Sequence, residues 1–163
     1  MNWRLMEEAD IPRVKSLADA IHTNYPEDEA IFAEKQRLYP EGCFSLISDN
    51  ELVGYIISHP WRLGETPAIN KFLNRLPEKP DTLYWHDIAL SPKVRARGAV
   101  QEGVSLVLAH ARAASFASVS GTAVSGTAIF WKRQGFSFLS ETAHDLPSYG
   151  KEARLMVLFL PKK

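Results

Sequence analysis

The chain has 163 residues, of which 45% are apolar and 23% are charged, and its 19 basic residues balance its 19 acidic residues. This length suits one domain with a sizeable core, and the neutral balance argues against nucleic acid, whose phosphates attract an excess of basic charge. The single cysteine, Cys43, excludes an internal disulfide, and no apolar run suits a signal peptide or a membrane span. We therefore expect one soluble, cytoplasmic domain over residues 1–163, with no nucleic-acid or membrane partner.

The first half of the chain predicts one strand, two helices and a β-hairpin. Asp10 suits a helix N-cap and Pro12 suits the first turn, and apolar residues then recur at helical spacing. Two β-prone runs separated by four polar residues indicate the hairpin. The predicted elements are a strand at 3–6, helices at 11–21 and 27–38, and hairpin strands at 43–47 and 52–58.

The second half alternates strands with helices. Residues 62–81 contain several prolines and glycines and predict an ordered excursion on the surface, with one short helix at 68–76. The remaining predicted elements are a strand at 83–90, a helix at 99–112, a strand at 116–124, a helix at 127–134, and strands at 136–139 and 153–160. This order is typical of an α/β chain with a mixed sheet.

The stretch from Tyr84 to Ala111 is the most informative part of the sequence. An apolar, β-prone run leads into a basic turn that ends at Gly98, and a helical pattern follows. The first N–H groups of a helix have no partner within the helix, and the helix dipole favours negative charge there. Arg95 and Arg97 can add charge-assisted hydrogen bonds to a phosphate, or they lie in a solvated turn. The turn therefore predicts a phosphate-binding site.

Two motifs resemble those of the GNAT superfamily of N-acetyltransferases. The acyl-CoA motif of that family is Arg or Gln, two residues, Gly, one residue, then Gly or Ala; here Arg95 and Gly98 match, and Val100 departs from the pattern. Residues 130–136, Phe-Trp-Lys-Arg-Gln-Gly-Phe, resemble the later signature of two aromatics, three residues and Gly-Phe. The resemblance implies an α/β (α+β) GNAT-like acyl-CoA N-acyltransferase fold, in which helices flank a mixed central sheet, and it implies acetyl-CoA as the cofactor.

The resemblance also implies where acetyl-CoA binds. The backbone of the strand before the basic turn should hold the pantetheine arm, provided that this strand splays from its neighbour, and the N–H groups of the turn should hold the pyrophosphate. Phe130 and Trp131 are expected either to border the cofactor or to pack in the core. The expected cofactor-binding residues are Ile88, Ala89, Leu90, Arg95, Ala96, Arg97, Gly98, Ala99, Val100, Gln101, Phe130 and Trp131.

Acetyl transfer to an amine requires a base, because an alkylammonium group has a pKa of roughly 10. Imidazole suits this task near neutral pH, and His86 directly precedes the basic turn. Its surroundings are similar to the arylalkylamine N-acetyltransferase branch of the family, in which the equivalent His is implicated in deprotonating the amine. Tyr84 stands where that branch has a second His, and we expect Tyr84 on the same face as His86, relaying a proton, with Asp87 on the opposite face. A structural, buried His86 is the alternative.

The acid that protonates the departing thiolate is left open by the sequence. Trp131 stands where many GNAT enzymes have a Tyr, and an indole N–H has no accessible proton to give. Tyr149, before the last strand, is the candidate substitute, with water or a purely surface-located Tyr149 as alternatives. Tyr25 and the acidic residues 27–29 can bind a cationic amine, or they form an acidic first helical turn.

These observations predict an enzyme that transfers an acetyl group from acetyl-CoA to a primary amine of a small molecule, by direct attack in a ternary complex. The alternative is a non-catalytic acyl-CoA-binding or partner-binding module on the same fold. The five histidines show no paired metal-ligand spacing, and the glycine motifs of nucleotide-binding loops are missing. The identity of the amine and the formation of a homodimer stay open.

Overall fold

The computed structural model describes residues 1–124, 126–139 and 149–162. None of the helices in these ranges is long and apolar enough to cross a membrane. The elements are β1 (Asn2–Leu5), α1 (Ile11–Ile21), α2 (Glu29–Leu38), β2 (Cys43–Ser48), β3 (Glu51–Trp61), β4 (Thr82–Leu90), α3 (Ala99–Ala113), β5 (Ser118–Ala123), α4 (Ala128–Arg133), β6 (Ser137–Phe138) and β7 (Arg154–Phe159).

The strands form one mixed sheet in the order β1-β2-β3-β4-β5-β7-β6. Within the described ranges β4 and β5 pair in parallel, and every other pair of neighbours is antiparallel. A parallel pair needs a crossover connection, and α3 provides it. The predicted α/β fold with a mixed sheet flanked by helices is therefore confirmed.

Helices cover both faces of the sheet because successive residues of a strand face opposite sides. On β3, Ile56 packs in a cluster that includes residues of α3 and α4, whereas Tyr55 and Ile57 pack with residues of α1 and α2. The site described below lies on the side of α1 and α2, where the segment between those two helices reaches β4.

Residues 62–81, which we name the strap, form an ordered excursion as predicted, but the helix predicted at 68–76 is wrong. Asn70 and Asn74 have φ values of 56° and 65°, a left-handed conformation that ends helical winding and that Asn tolerates better than most residues. The carboxylate of Glu34, on α2, accepts the backbone N–H groups of Leu73 and Asn74, so these donors are satisfied without a helix.

A β-bulge interrupts the pairing of β3 with β4 at His86. Ile57 pairs with Asp87 and Ser58 pairs with Trp85, so His86 has no partner on β3. A bulge of this kind breaks the alternation of side chains between the two faces. The prediction that Asp87 faces away from His86 is therefore wrong, and both side chains contact the segment between α1 and α2.

Candidate active site

Strands β4 and β5 separate before either of them ends. Trp85 and Gly121 are the last pair in the register, although β4 continues to Leu90 and β5 to Ala123. The side chain of His86 is only 2% exposed, yet the residue as a whole is half-buried, so its exposed atoms belong to the main chain. This opening is the splay that the expected binding of a pantetheine arm along β4 requires.

A pocket of about 260 Å³ lies at the opening. Its wall combines β4, the segment between α1 and α2, the strap, the end of β5 and α4. Tyr25 and Glu27 line it, but Asp28 and Glu29 do not, so only part of the acidic stretch faces a ligand. The predicted site residues that line it are His86, Ile88, Phe130, Trp131 and Tyr149.

His86 is held by Glu27, since its Nε2 atom lies 3.1 Å from Glu27 Oε1. Burial alone would raise the pKa of Glu27, but the hydrogen bond from His86, the electrostatic interactions with His86 and Lys35, and the hydrogen bond from the N–H of Asn70 lower that pKa to about 2. The ionised carboxylate only accepts, so Nε2 of His86 carries the hydrogen. Its Nδ1 atom is buried without a partner among the described residues, and in the neutral ring this atom holds the lone pair.

A second histidine–carboxylate pair, His22 with Asp87, was missed by the sequence reasoning. Nε2 of His22 lies 2.8 Å from Asp87 Oδ1 and 3.0 Å from the carbonyl oxygen of Ile88. Asp87 Oδ2 accepts a hydrogen bond from the hydroxyl of Tyr55. Burial alone would lower the pKa of His22, but the hydrogen bond and the charge of Asp87 raise it. No local pattern signals this pair, because only the bulge at His86 brings Asp87 to the end of α1.

Tyr84 lies on the same side of β4 as His86, as expected, with ring centroids 6.1 Å apart. Its hydroxyl is 2.7 Å from Thr122 Oγ1, and burial raises the pKa of Tyr84 to about 12. Tyr84 is therefore protonated at neutral pH and is unsuited to act as a base.

Tyr149 is buried rather than on the surface, and its hydroxyl donates a 2.9 Å hydrogen bond to the carbonyl oxygen of Pro67 in the strap. Burial and the neighbouring Tyr84 raise the pKa of Tyr149 well above its usual value. The side chain ties the segment before β7 to the strap at the pocket wall. The rest of the polar loop before Tyr149, residues 140–148, lies outside the described residues.

The exposed residues of the basic turn are Arg95, Ala96, Arg97, Gly98 and Gln101, whereas Ala99 is buried. Gly98 has φ 79°, in the left-handed region that favours glycine. The N–H groups of residues 98–101 have no acceptor within the described ranges, as expected for a helix start that can bind an anion.

Two further contacts shape the turn. Arg95 Nε donates to the carbonyl oxygen of Leu90, 3.1 Å away, so the turn folds back on the end of β4. The side chain of Val100 packs with Trp3 against the core, so its branched carbon atoms do not occupy the phosphate side of the turn.

Trp131 packs in the core and also borders the pocket, so it occupies both of the positions that the sequence left open. Its ring lies edge-on to those of Trp85, Phe130 and Phe136, each with centroids 5.2 Å away, and it also borders the pocket. Phe130 likewise packs against this core and lines the pocket. Across the described ranges, no cluster of three or more His, Cys, Asp or Glu side chains is placed to hold a metal ion.

Comparisons with known proteins agree with this geometry. The sequence model of the acetyltransferase (GNAT) family matches residues 8–136. A comparison with curated proteins found no match.

The fold is similar to that of many solved structures. One is Ard1 from Thermoplasma volcanium, with 16% identity over 99% of this chain and 98% of that chain and a TM-score of 0.76. Another is the ribosomal-protein-S18-alanine N-acetyltransferase from Escherichia coli, with 16% identity, coverage of 99% and 95%, and a TM-score of 0.72. A third is GphF, a GNAT-like decarboxylase in complex with isobutyryl-CoA, with 13% identity, coverage of 98% and 99%, and a TM-score of 0.80.

Proposed function

Because the chain belongs to the GNAT family of acetyltransferases and has acetyl-CoA as its cosubstrate, we propose that it acetylates a primary amine of a small molecule. The amine attacks the thioester directly in a ternary complex. One observation carries the proposal: the pocket at the β4–β5 opening contains an imidazole, that of His86, fixed by a carboxylate beside a free strand edge.

The cofactor would lie along the open edge of β4, with its pantetheine arm beside Ile88, Ala89 and Leu90. Its pyrophosphate would meet the N–H groups of residues 98–101, since the N–H of Arg97 already donates to the carbonyl oxygen of Val94, and the exposed side chain of Arg97 would add positive charge. This placement directs the thioester toward the pocket that His86 lines, so the enzyme holds both reactants together before reaction.

His86 is the proposed base. Nδ1 of the neutral ring would accept a proton from the amine, and Glu27 would stabilise the imidazolium that forms, as a carboxylate does in other His–carboxylate pairs. Because Nδ1 is buried, this transfer needs a bridging water or a small movement of the ring. Tyr84, which keeps its proton, would orient the wall beside His86 through its bond to Thr122.

A small acceptor fits the pocket better than a polypeptide. Glu27 and Asp87 supply the negative charge that attracts an ammonium group. The strap is bonded on one side to Glu27, through the N–H of Asn70, and on the other side to Tyr149, through Pro67. With about 260 Å³ between these walls, the pocket accommodates a compact amine.

We expect acetyl-CoA to raise the Tm of the protein, because a ligand that binds only the folded state stabilises it by about 2.7 kcal/mol at roughly 100 times its Kd. Differential scanning fluorimetry measures the shift. Arg97→Gln should reduce the shift by weakening the contact with the diphosphate, whereas His110→Gln, at the far end of α3, should leave it unchanged. The absence of any shift at millimolar acetyl-CoA contradicts the proposed cofactor site.

A panel of amines, followed by detection of free thiol, tests the reaction itself. The panel contains arylalkylamines, polyamines, aminoglycosides and peptides with a free N-terminus. We expect turnover with small amines and much less with peptides. Turnover with peptides alone would place the chain with protein acetyltransferases such as its Escherichia coli neighbour. Binding of acetyl-CoA without transfer to any amine would instead favour the non-catalytic module.

Tyr149→Phe should lower kcat by less than about tenfold, the size of one lost hydrogen bond. A hydroxyl whose pKa is raised well above its usual value holds its proton tightly and donates a hydrogen bond to a developing thiolate more readily than it transfers the proton. To do so it must release Pro67. Steady-state kinetics measures the effect. A loss above about 100-fold would assign Tyr149 as the full general acid, and an unchanged kcat would remove it from the reaction.

A further inference from the structure

We propose that His22, held by Asp87, is a second proton acceptor of the pocket and the first to take a proton from the incoming ammonium group. This inference rests on the proposed acetyl transfer and adds to it the route of one proton. The pairs His22–Asp87 and His86–Glu27 connect the same two parts of the fold. Strand β4 supplies His86 and Asp87, and the segment between α1 and α2 supplies His22 and Glu27.

The hydrogen bonds of His22 determine which of its nitrogen atoms can accept a proton. The carbonyl oxygen of Ile88 can only accept a hydrogen bond, so Nε2 of His22 carries the hydrogen that is shared with Ile88 and Asp87. The lone pair of the neutral ring is then on Nδ1, which has no partner in the described part of the chain. The Tyr55 hydroxyl occupies the second oxygen of Asp87 and holds the carboxylate in place.

Exposure separates the two histidines. The His22 side chain is 28% exposed and lines the pocket, whereas the His86 side chain is 2% exposed and its Nδ1 is buried. A ligand entering from solvent therefore contacts the His22 ring before it can reach His86. The bond from His22 to the Ile88 oxygen also keeps this ring beside the strand edge proposed for the thioester.

The amine nitrogen loses two protons in forming the amide, and the two histidines can divide these two transfers between them. First, the ammonium gives a proton to Nδ1 of His22, and the resulting imidazolium releases it to solvent. The free amine lone pair then forms the N–C bond to the thioester carbonyl carbon, and the C–S bond breaks with its electron pair going to sulfur. The second N–H proton passes to His86 and from there, directly or through intervening groups, to the thiolate sulfur, so His86 returns to its neutral form and each turnover releases one proton to solvent.

The charges around His22 favour its protonated form during this step. Asp87 is in direct contact, and the charge of Glu27 also acts on the ring. Lys35, from α2, is buried, interacts with both carboxylates, and has a pKa lowered by that burial, so it offsets them only in part. The ionisable groups around the cluster include Asp87, His86 and Tyr84 on β4, Tyr55 and His59 on β3, Glu27 in the interhelical segment, Lys35 on α2, Asp19 on α1 and Tyr149 before β7.

Two acceptors that differ only in the basicity of the amine test the proposal. We would use 2-phenylethylamine and its 2,2-difluoro analogue, or the matching pair built on the best amine of the panel, at about pH 8. Alkylammonium groups have a pKa of roughly 10, so the first amine is charged, whereas fluorine makes the second largely uncharged. An uncharged amine has no first proton to lose and bypasses His22, but it still needs His86.

We expect His22→Gln to lower kcat/KM for 2-phenylethylamine by at least about tenfold and to lower that for the fluorinated amine by less than about threefold. Asp87→Asn should show the same selective loss, because the ring loses the charge that stabilises its protonated form. His86→Gln should lower kcat/KM for both amines alike. His110→Gln, whose ring bonds Tyr39 away from the pocket, is the matched control and should change neither.

Equal losses for both amines in His22→Gln, or no loss for either, overturn the proposal. An unchanged thermal shift with acetyl-CoA checks that each variant is folded, and His22→Asn gives the same comparison if His22→Gln does not fold. Failure of the proposed function has a different result, since the wild-type protein would then acetylate neither amine.

Discussion

Replacing His86 by glutamine should lower kcat by about 10²- to 10³-fold, within the range that a positioned acid or base contributes, and leave the Kd for acetyl-CoA nearly unchanged. Glutamine fills a similar space and can still bond Glu27, but it has no lone pair able to take a proton near neutral pH. The loss should therefore appear in the chemical step, which single-turnover kinetics measures separately from cofactor binding.

The pH dependence of the rate provides a second measurement of the role of His86. A base acts through its free lone pair, so any pH dependence that His86 contributes to the wild-type rate should be missing from the variant. Glu27 adds nothing in the assay range, because a pKa lowered to about 2 keeps the carboxylate ionised until the pH falls toward that value. Glu27→Gln should nevertheless lower kcat, since an amide stabilises an imidazolium poorly.

His110→Gln again supplies the matched control, because it removes an imidazole from the same protein without touching the pocket. If His86→Gln retains the wild-type kcat and the wild-type pH profile, His86 does not act as a base. In that event the Glu27–His86 pair would be a structural support for the strap, consistent with the bond from Glu27 to the N–H of Asn70.

The strand, the basic turn and the helix start that the proposed cofactor site uses could be predicted from the sequence because they depend on local order. A strand, a basic turn with a glycine and a helix start are contiguous in the chain, and their hydrogen bonding follows from the helix geometry. The exposed residues of the turn, the left-handed Gly98 and the N–H groups of residues 98–101, which lack an acceptor within the described ranges, agree with that expectation. Val100 packs inward, which a pattern of residue types does not reveal.

The acceptor half depends on contacts between distant residues, and the alternation rule failed where it mattered most. A bulge adds one residue to a strand without any signature in the residue types of β4, so Asp87 was assigned to the wrong face. His22 and Asp87 are far apart in the chain, and their pairing follows only from how α1 ends above the bulge. The helix wrongly predicted in the strap failed for a similar reason, since Glu34 of α2 satisfies the strap's N–H groups.

Asp10 shows a third kind of difference and leads to a stability prediction. It lies at the predicted N-cap of α1, but its side chain caps no helical N–H group. It is fully buried and accepts hydrogen bonds from Arg4, Arg13, Ser45 and the N–H of Glu7, at distances of 2.7 to 3.0 Å. One carboxylate therefore joins β1, β2 and the start of α1, the helix that ends at His22.

Asp10→Ala should lower the free energy of unfolding by about 1–3 kcal/mol, because it leaves the buried hydroxyl of Ser45 without its acceptor. Urea denaturation measures the change. Asp19→Ala is the matched control on the same helix: Asp19 is 51% exposed and pairs with Lys15, and loss of such a surface pair costs less than about 1 kcal/mol. A loss below about 1 kcal/mol in Asp10→Ala as well would mean that its bonds merely replace bonds to water.

Acid provides an independent check of the same network. Burial alone would raise the pKa of Asp10, but the hydrogen bonds from Arg4, Glu7 and Ser45 and the charge of Arg4 lower it to about 2. A carboxyl whose folded pKa is depressed stabilises the protein fully above its unfolded pKa of about 3.9, and it loses that contribution as the pH falls toward 2. The free energy of unfolding of the wild-type protein should therefore fall more steeply than that of Asp10→Asn between about pH 4 and pH 2, and equal slopes would exclude Asp10 as the source.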